Sequence, residues 1–424
     1  MFKEFKMRAL IRISARLCRG ARLLVGASTV IVMTVSLTGA KGDEPQAVTA
    51  LLTSAQARQA YLARATVWRD PGSLTPEDII AGPPGIFPYT FAAATSDQGI
   101  GCLFTKPGKE LGGASVKFLC TTNDKQELRV KYWDPKLEDG NREVFANVAA
   151  SRLMWALGFG TLHALPLNLH CDGCPENPMA GGGARRLRDY LAALVDNIAT
   201  RTVIVSKPDR DQGWSWREFD EAIKSLPPGP ERTQQRTHFD ALTLLAVFIQ
   251  HGDRKPEQQS LYCESPLDLA AGQTEPLDKD SDVLMLRESP DASACAKPVA
   301  MIQDFGATFG GAGRTSSEGG AKMNLEQWRS KKVFRDPKST ACHGRITISM
   351  AAGDGGLGNP LISEEGRQFF LEQLHRLTPA HVRAIFTAAR PDKARKAAPA
   401  IDAWVAAFQD KVEQINAQHC QPAS

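Results

Sequence analysis

Apolar and polar residues alternate in three short runs: Gly101-Cys-Leu-Phe-Thr105, Val116-Lys-Phe-Leu-Cys120 and Glu127-Leu-Arg-Val-Lys-Tyr-Trp133. A period of two over so few residues predicts three short strands. Gly112-Gly113 and Asn123-Asp124 supply the turn residues between them. Leu165, Leu167 and Leu169 alternate in the same way and predict a further, half-buried strand. Between these runs the period lengthens. Val144, Val148 and Trp155, with Phe145, Ala149, Leu153 and Ala156, give the apolar face of a helix that Asn141 can cap and Gly158 can stop.

Beyond residue 205 the pattern is mostly helical. Ser215-Trp-Arg-Glu218 has the form of a capping box, with Trp214 and Phe219 at the positions of a hydrophobic staple. That role makes Trp214 and Trp216 core residues. The run Phe239–Ile249 is apolar nearly all round, as expected of a buried central helix. Ser363 caps a later helix, Thr378-Pro379 opens another, and Ile401, Trp404, Phe408, Val412 and Ile415 stripe a third. Residues 264–297 are acidic and Pro-rich and read as a surface insertion around one strand near Val283–Leu286. Gly181–Gly183 with Arg185 and Arg186 read as a loop or hinge. Residues 41–95 form an N-terminal extension with one or two short helices, broken by Pro76, Pro83, Pro84 and Pro88. Strands first, one helix, then a helical half: this order predicts an α+β chain with two lobes and a cleft between them.

Charge changes the picture at the N-terminus. The first forty residues carry seven Lys/Arg and a single acid, Glu4, and the uncharged run Leu23–Ala40 ends in Thr38-Gly39-Ala40. A basic leader, an apolar core and small residues at −3 and −1 predict a signal peptide over 1–40 and an exported protein, periplasmic or extracellular. An uncleaved inner-membrane anchor is the alternative, because 18 residues are just enough to span. No other stretch is long and apolar enough. The net charge of +4 for the whole chain becomes about −2 without the leader, which gives no support for a nucleic-acid partner.

Eight cysteines follow the leader, an even number that fits disulfides in an exported chain. Cys102–Cys120 and Cys263–Cys295 are the expected pairs, because each would join adjacent strands. Cys171-Asp-Gly-Cys174 could instead be half a zinc site, but no second CxxC or His pair at ligand spacing accompanies it.

The most informative segment is His251-Gly-Asp-Arg-Lys-Pro-Glu-Gln-Gln-Ser-Leu-Tyr-Cys263, which follows the buried helix. Further on, the apolar strand Val299-Ala-Met-Ile302 runs into Gln303-Asp304-Phe305-Gly306. Phosphoryl transfer needs one carboxylate beside the acceptor hydroxyl and a second on the metal that neutralises the phosphates. It also needs a cation on the phosphates, held by an acid. Asp253 and Asp304, each at the edge of a strand, can supply the two carboxylates.

With these motifs in this order the sequence resembles the kinase superfamily. The Gly-Asp-Arg start is more similar to phosphatidylinositol kinases, the HipA group and the kinases of the secretory pathway than to ordinary protein kinases. The resemblance covers about residues 100 to 390. It implies a two-lobed protein-kinase-like fold, with a small β-rich N-lobe and hinge at 96–205 and a mostly helical C-lobe at 206–424. It implies Asp253 as catalytic base, Lys255 as a phosphate-side cation and Asp304 as a ligand of Mg²⁺ or Mn²⁺. Lys131 would be the nucleotide-binding lysine and Glu143 its acidic partner. Gly112, Gly113 and Ser115 lie where the phosphate-covering loop belongs, and Lys117 is a second candidate cation. Where the family's second metal ligand is usually Asn, this chain has Gln258, followed by Gln259. His251 is expected to pack behind the loop.

The implied activity is ATP-dependent transfer to a hydroxyl acceptor in a protein, lipid or small molecule. ATP is scarce outside the cytoplasm, so two alternatives stay open. One is nucleotidyl transfer on the same fold. The other is an inactive nucleotide-binding or cell-envelope interaction protein.

Overall fold

Thr75 starts the first labelled helix, α1 (Pro76–Ala81), through a full capping box with Asp78, and Pro76 sits in its first turn, where no amide donor is needed. The computed structural model to which this helix belongs describes residues 58–85, 89–107, 116–133, 142–174, 186–196, 203–204, 213–252, 255–263, 298–310, 323–347, 357–393 and 398–423. A second short helix, α2 (Phe91–Thr95), is capped by Thr90. Tyr61, Leu62, Ala65 and Val67 are buried in the main core, and the backbone of Thr66 bridges to Val299. This early segment is therefore built into the fold.

The alternating runs form β1 (Ile100–Thr105), β2 (Lys117–Thr122) and β3 (Glu127–Lys131), an antiparallel meander. A long helix follows, α3 (Glu143–Ala156), then β4 (Gly160–Thr161), β5 (Ala164–Cys174), β6 (Arg186–Asp196) and β7 (Val203–Ile204). The sheet order is β1-β2-β3-β6-β5, and β5 also pairs in parallel with β1, so the sheet curls until it closes. Its interior is a separate small core of Ile100, Cys102, Phe118, Cys120, Leu128, Val130, Leu165, Leu167 and Leu169.

Several expectations need correction here. Arg186 begins a strand of 11 residues where a loop or hinge was expected. Residues 164–169 of β5 are all buried, not half-buried, because α2 packs on this strand and α3 also reaches it. The N-cap of α3 is Arg142, in helical conformation and without a side-chain cap, and Asn141 lies outside the described residues. Every residue of α3 except Trp155 is buried, so the helix is central and has no solvated face.

The helical half contains α4 (Trp216–Ser225) and α5 (Pro230–Phe248), followed by β8 (Gln259–Cys263) and β9 (Val299–Ile302). Ser215 caps α4 by accepting from the Glu218 amide. The other half of the expected box is absent, because the Glu218 carboxylate is taken by Arg58. From Phe239 to Phe248 every residue of α5 is buried, as the apolar run predicts. The remaining elements are α6 (Leu325–Ser330), β10 (Cys342–His343), β11 (Leu361–Ile362), α7 (Glu364–His375), α8 (Pro379–Ala389) and α9 (Ile401–Asn416). Ser363 and Thr378 cap α7 and α8 as expected.

The larger core is organised round Trp328, whose ring meets Trp404, Phe309, Phe248 and Phe386 and whose indole N–H donates to Phe248 O at 2.7 Å. The small sheet β4-β9-β8-β7 carries the loops of interest to the edge of this core.

Cys102 and Cys120 are bonded across β1 and β2, as predicted. Cys171 and Cys174 form a disulfide with each other, so neither thiolate of the zinc alternative is available. A third bond, Cys342–Cys420, ties β10 to the chain end over a separation of 78 residues. A loop of that length removes enough unfolded-chain entropy to stabilise the fold by about 4 kcal/mol. Cys295 and the 264–297 insertion lie outside the described residues. Among the described residues no helix is long and apolar enough to cross a membrane.

Candidate functional site

The antiparallel register of β8 and β9 sets Gln259 opposite Ile302. The residues entering β8 therefore lie beside those leaving β9, and the Gln303 amide donates to Gln258 O at 2.8 Å. This register brings Gln258 next to the Asp-Phe-Gly segment. Gly213 supports the turn from behind: a Cβ there would fall 1.3 Å from the Pro256 carbonyl oxygen, so only glycine allows the approach. The Trp214 indole donates to Ser260 O at 3.1 Å, which anchors the same turn to the core.

The loop before β8 leaves α5 through a sharp reversal. His251 N donates to Ala246 O and Gln250 N to Val247 O, the bond pair of a Schellman motif, with Gln250 left-handed at φ 56°. Glycine is usual at that position. Gln250 is kept because its buried amide donates to Val247 O and Arg345 O and accepts from Thr347 N, three bonds that glycine would lack. Beyond the reversal the loop is zipped to the segment after β9, with Gly252 N donating to Ala307 O and Phe309 N to Ile249 O.

Asp304 is held by its own turn, Oδ1 accepting from Gly306 N at 2.8 Å, while Oδ2 lies 3.3 Å from Lys131 Nζ. Lys131 is buried at the end of β3, and Glu143, in the first turn of α3, approaches its ammonium to 4.0 Å. Three elements thus converge on one ion cluster, and the contact of Lys131 with Asp304 is shorter than its contact with Glu143. Glu143 also packs on Gly306, where an added Cβ would lie 2.7 Å from its carboxyl carbon. The Asp304 side chain keeps 30% of its surface open.

Lys117 is buried and directly opposite Lys131 in the β2–β3 register. Two lysines facing each other on neighbouring strands repel unless anions lie close, and Asp304 and Glu143 supply such anions beside Lys131. Lys255 is half-buried in the loop. Asp253, Gly112, Gly113 and Ser115 lie outside the described residues.

Sequence reasoning overlooked Asn147. One turn after Glu143 on α3, it donates from Nδ2 to Glu143 O at 3.0 Å and accepts the Phe305 amide on Oδ1 at 2.9 Å. Its signal in the sequence was a lone amide within the apolar run 144–150, at helical spacing from Glu143.

Burial works to raise the Asp304 carboxyl, but the Lys131 charge and the Gly306 amide outweigh it and hold the group below the usual carboxylate range. His251 is fully buried against the Phe305 ring, with no hydrogen-bond partner on either ring nitrogen among the described residues. Burial lowers its pKa to about 4, against a smaller upward pull from Asp304. His163 is lowered to about 3, by burial first and then by the Arg152 charge.

These histidines predict a pH effect. Both are neutral in the fold and charge near pH 6.5 in the unfolded chain, so the unfolded state binds more protons in the window between. Stability is therefore full above pH 6.5 and is lost as the pH falls toward 4, at on the order of 1 kcal/mol per pH unit for each histidine. Asp240, whose carboxyl is raised by burial, works in the opposite sense at the acid end. Urea unfolding at pH 7, 6, 5 and 4.5 reads the slope, and a flat profile would contradict it.

As to the donor set for a divalent cation, Asp304 offers a partly open carboxylate and Gln258 an amide oxygen. Hard oxygen donors of this kind suit Mg²⁺ or Mn²⁺.

No family model matches this chain, and no curated protein matches it. Among solved structures the chain is similar to a Helicobacter pylori proinflammatory kinase, CtkA, at 11% identity and a TM-score of 0.36, over 75% of this chain and 93% of that one.

Proposed function

We propose that this protein is an exported kinase-like phosphotransferase of two lobes that uses ATP and a divalent metal to modify a hydroxyl acceptor. The observation that carries the reading is the ion cluster of Lys131, Glu143 and Asp304, assembled from β3, α3 and the end of β9. An isolated surface ion pair needs no such convergence. A buried lysine between two carboxylates, beside a second buried lysine, is what a polyphosphate and its metal require.

In this reading Lys131 contacts the phosphates and Glu143 fixes its position. Lys117 and Lys255 add positive charge, and the loop containing Gly112, Gly113 and Ser115 covers the phosphates. Asp304 and Gln258 hold the metal, which when bound offsets the charge of the transferred group. Asp253 orients the acceptor hydroxyl and takes its proton. The three disulfides are compatible with an oxidising, exported location.

Transfer of a nucleotidyl group remains a specific second reading, since the same charges serve a nucleotide bound in the reverse direction. ATP labelled on the γ-phosphate and, separately, on the α-phosphate distinguishes the two on the full chain with Mg²⁺ or Mn²⁺. Metal-dependent labelling from the γ-position alone is expected, on the protein itself or an added acceptor. Labelling from the α-position would replace the proposal with nucleotidyl transfer. No labelling from a preparation that binds nucleotide would leave a binding module.

A further inference from the structure

We infer that Asn147 is a positioning residue that sets the metal-binding direction of Asp304 through the backbone of Phe305, an inference that rests on the kinase-like reading. Phe305 is buried, and a buried amide must find an acceptor. In the segment after β9 that acceptor is not a strand or a neighbouring turn but Asn147 Oδ1, from a helix 158 residues earlier in the chain.

The amide of Asn147 has little freedom. Its Nδ2 is committed to Glu143 O, one turn back, and this orientation leaves Oδ1 facing Phe305. The Asp304–Phe305 peptide is planar, so fixing the Phe305 N–H fixes the plane that also carries the Asp304 carbonyl. The Gly306 amide then holds Oδ1 of the carboxylate, and Oδ2 is left pointing to Lys131. The consequence is geometric. Asn147 touches neither metal nor phosphate, yet it determines where the Asp304 oxygen sits.

Its place on α3 adds a second consequence. Glu143 and Asn147 are four residues apart and so lie on one face of the helix. The first holds Lys131 and the second holds the Asp304 segment, so α3 registers the phosphate cation and the metal ligand together. The Asp-Phe-Gly segment is thus tied to α3 by a hydrogen bond within the chain.

The test compares wild type, Asn147→Leu and Asn147→Asp as full-length protein. Asp keeps an acceptor for the Phe305 amide but loses the donor to Glu143 O, whereas Leu has similar bulk and neither. Amide hydrogen exchange without ligand reads the latch directly: residues 303–309 are expected to lose protection in the Leu variant and to regain it in the Asp variant. Mn²⁺ titration at fixed ATP reads the consequence. The midpoint is expected to rise about 10–100-fold in the Leu variant, the usual cost of losing a group that orients a metal ligand, and to return toward wild type in the Asp variant. ATP binding without metal should stay within about two-fold of wild type, which a general packing defect would not allow.

An unchanged Mn²⁺ midpoint in the Leu variant overturns the inference, and so does wild-type protection of residues 303–309 in that variant. Absence of Mn²⁺-dependent ATP binding in wild type would sink the kinase-like reading itself. The positioning role falls with it, and the exchange data then separate that failure from a missing latch.

Discussion

Asp304→Ala is expected to abolish metal-dependent ATP binding, with Mn²⁺ affinity falling by more than about 100-fold, beyond the loss typical of groups that merely orient a ligand. The carboxylate is the acid of the cluster that stands partly open to ligands, and its Oδ2 lies 3.3 Å from Lys131 Nζ. Two effects therefore follow from one substitution. The metal loses its ligand, and Lys131 is left with Glu143 at 4.0 Å as its remaining described ion-pair partner. Because Lys131 is buried, removing its nearer carboxylate is expected to destabilise the fold as well. Asp304→Asn separates the two, because it keeps the acceptor for Gly306 N and removes the charge. Isothermal titration of both variants with Mn²⁺ at saturating ATP measures the first effect and urea unfolding the second. Wild-type metal affinity in either variant would remove Asp304 from the metal site.

Gly306→Ala is expected to damage the site through sterics alone. A Cβ would meet Glu143 at 2.7 Å and 2.8 Å from its Cδ and Cγ carbons, and Glu143 is itself buried. Overpacking of this kind costs about 1–3 kcal/mol, and displacing Glu143 would move its carboxylate away from Lys131. The double variant Gly306→Ala with Glu143→Ala provides the control. Removing the carboxylate opens the space, so stability should recover while ATP binding should not. That pattern is non-additive for stability and reads the contact itself. Equal destabilisation in the single and double variants would show that the glycine is needed for another reason.

The strands and helices with strong periodicity were legible because each has one dominant signal. The meander of β1–β3 follows its alternation, and α9 follows its stripe from Ile401 to Ile415. The long strand β6 was not legible, because Arg186-Leu-Arg-Asp-Tyr-Leu-Ala-Ala-Leu-Val-Asp196 is rich in good helix formers and its pairing with β5 and β3 leaves no signal in its own sequence. Strand identity there is a tertiary effect that local propensity cannot report.

The same division holds at the site. Lys131, Glu143 and Asp304 could be singled out because the kinase resemblance expects charges in that order, and their side chains do lie close together. Asn147 and Gln250 were not readable, because their roles depend on which backbone amides and carbonyls end up buried beside them. Gly213 belongs to the same class, since only the packed turn at Pro256 reveals why a side chain is excluded. The expected capping box at Ser215 failed for a related reason: Glu218 found a charged partner in Arg58, which local spacing does not show.

A thermal-shift titration of the wild-type chain with ATP, run with and without Mg²⁺ or Mn²⁺, tests the central claim most directly. Ligand bound to the native state alone stabilises it by about 2.7 kcal/mol at a hundred times its Kd. The kinase-like reading predicts a rise in Tm with ATP that grows when the metal is added and is absent with the metal alone. A folded protein whose Tm ignores every nucleotide, with and without metal, would contradict it.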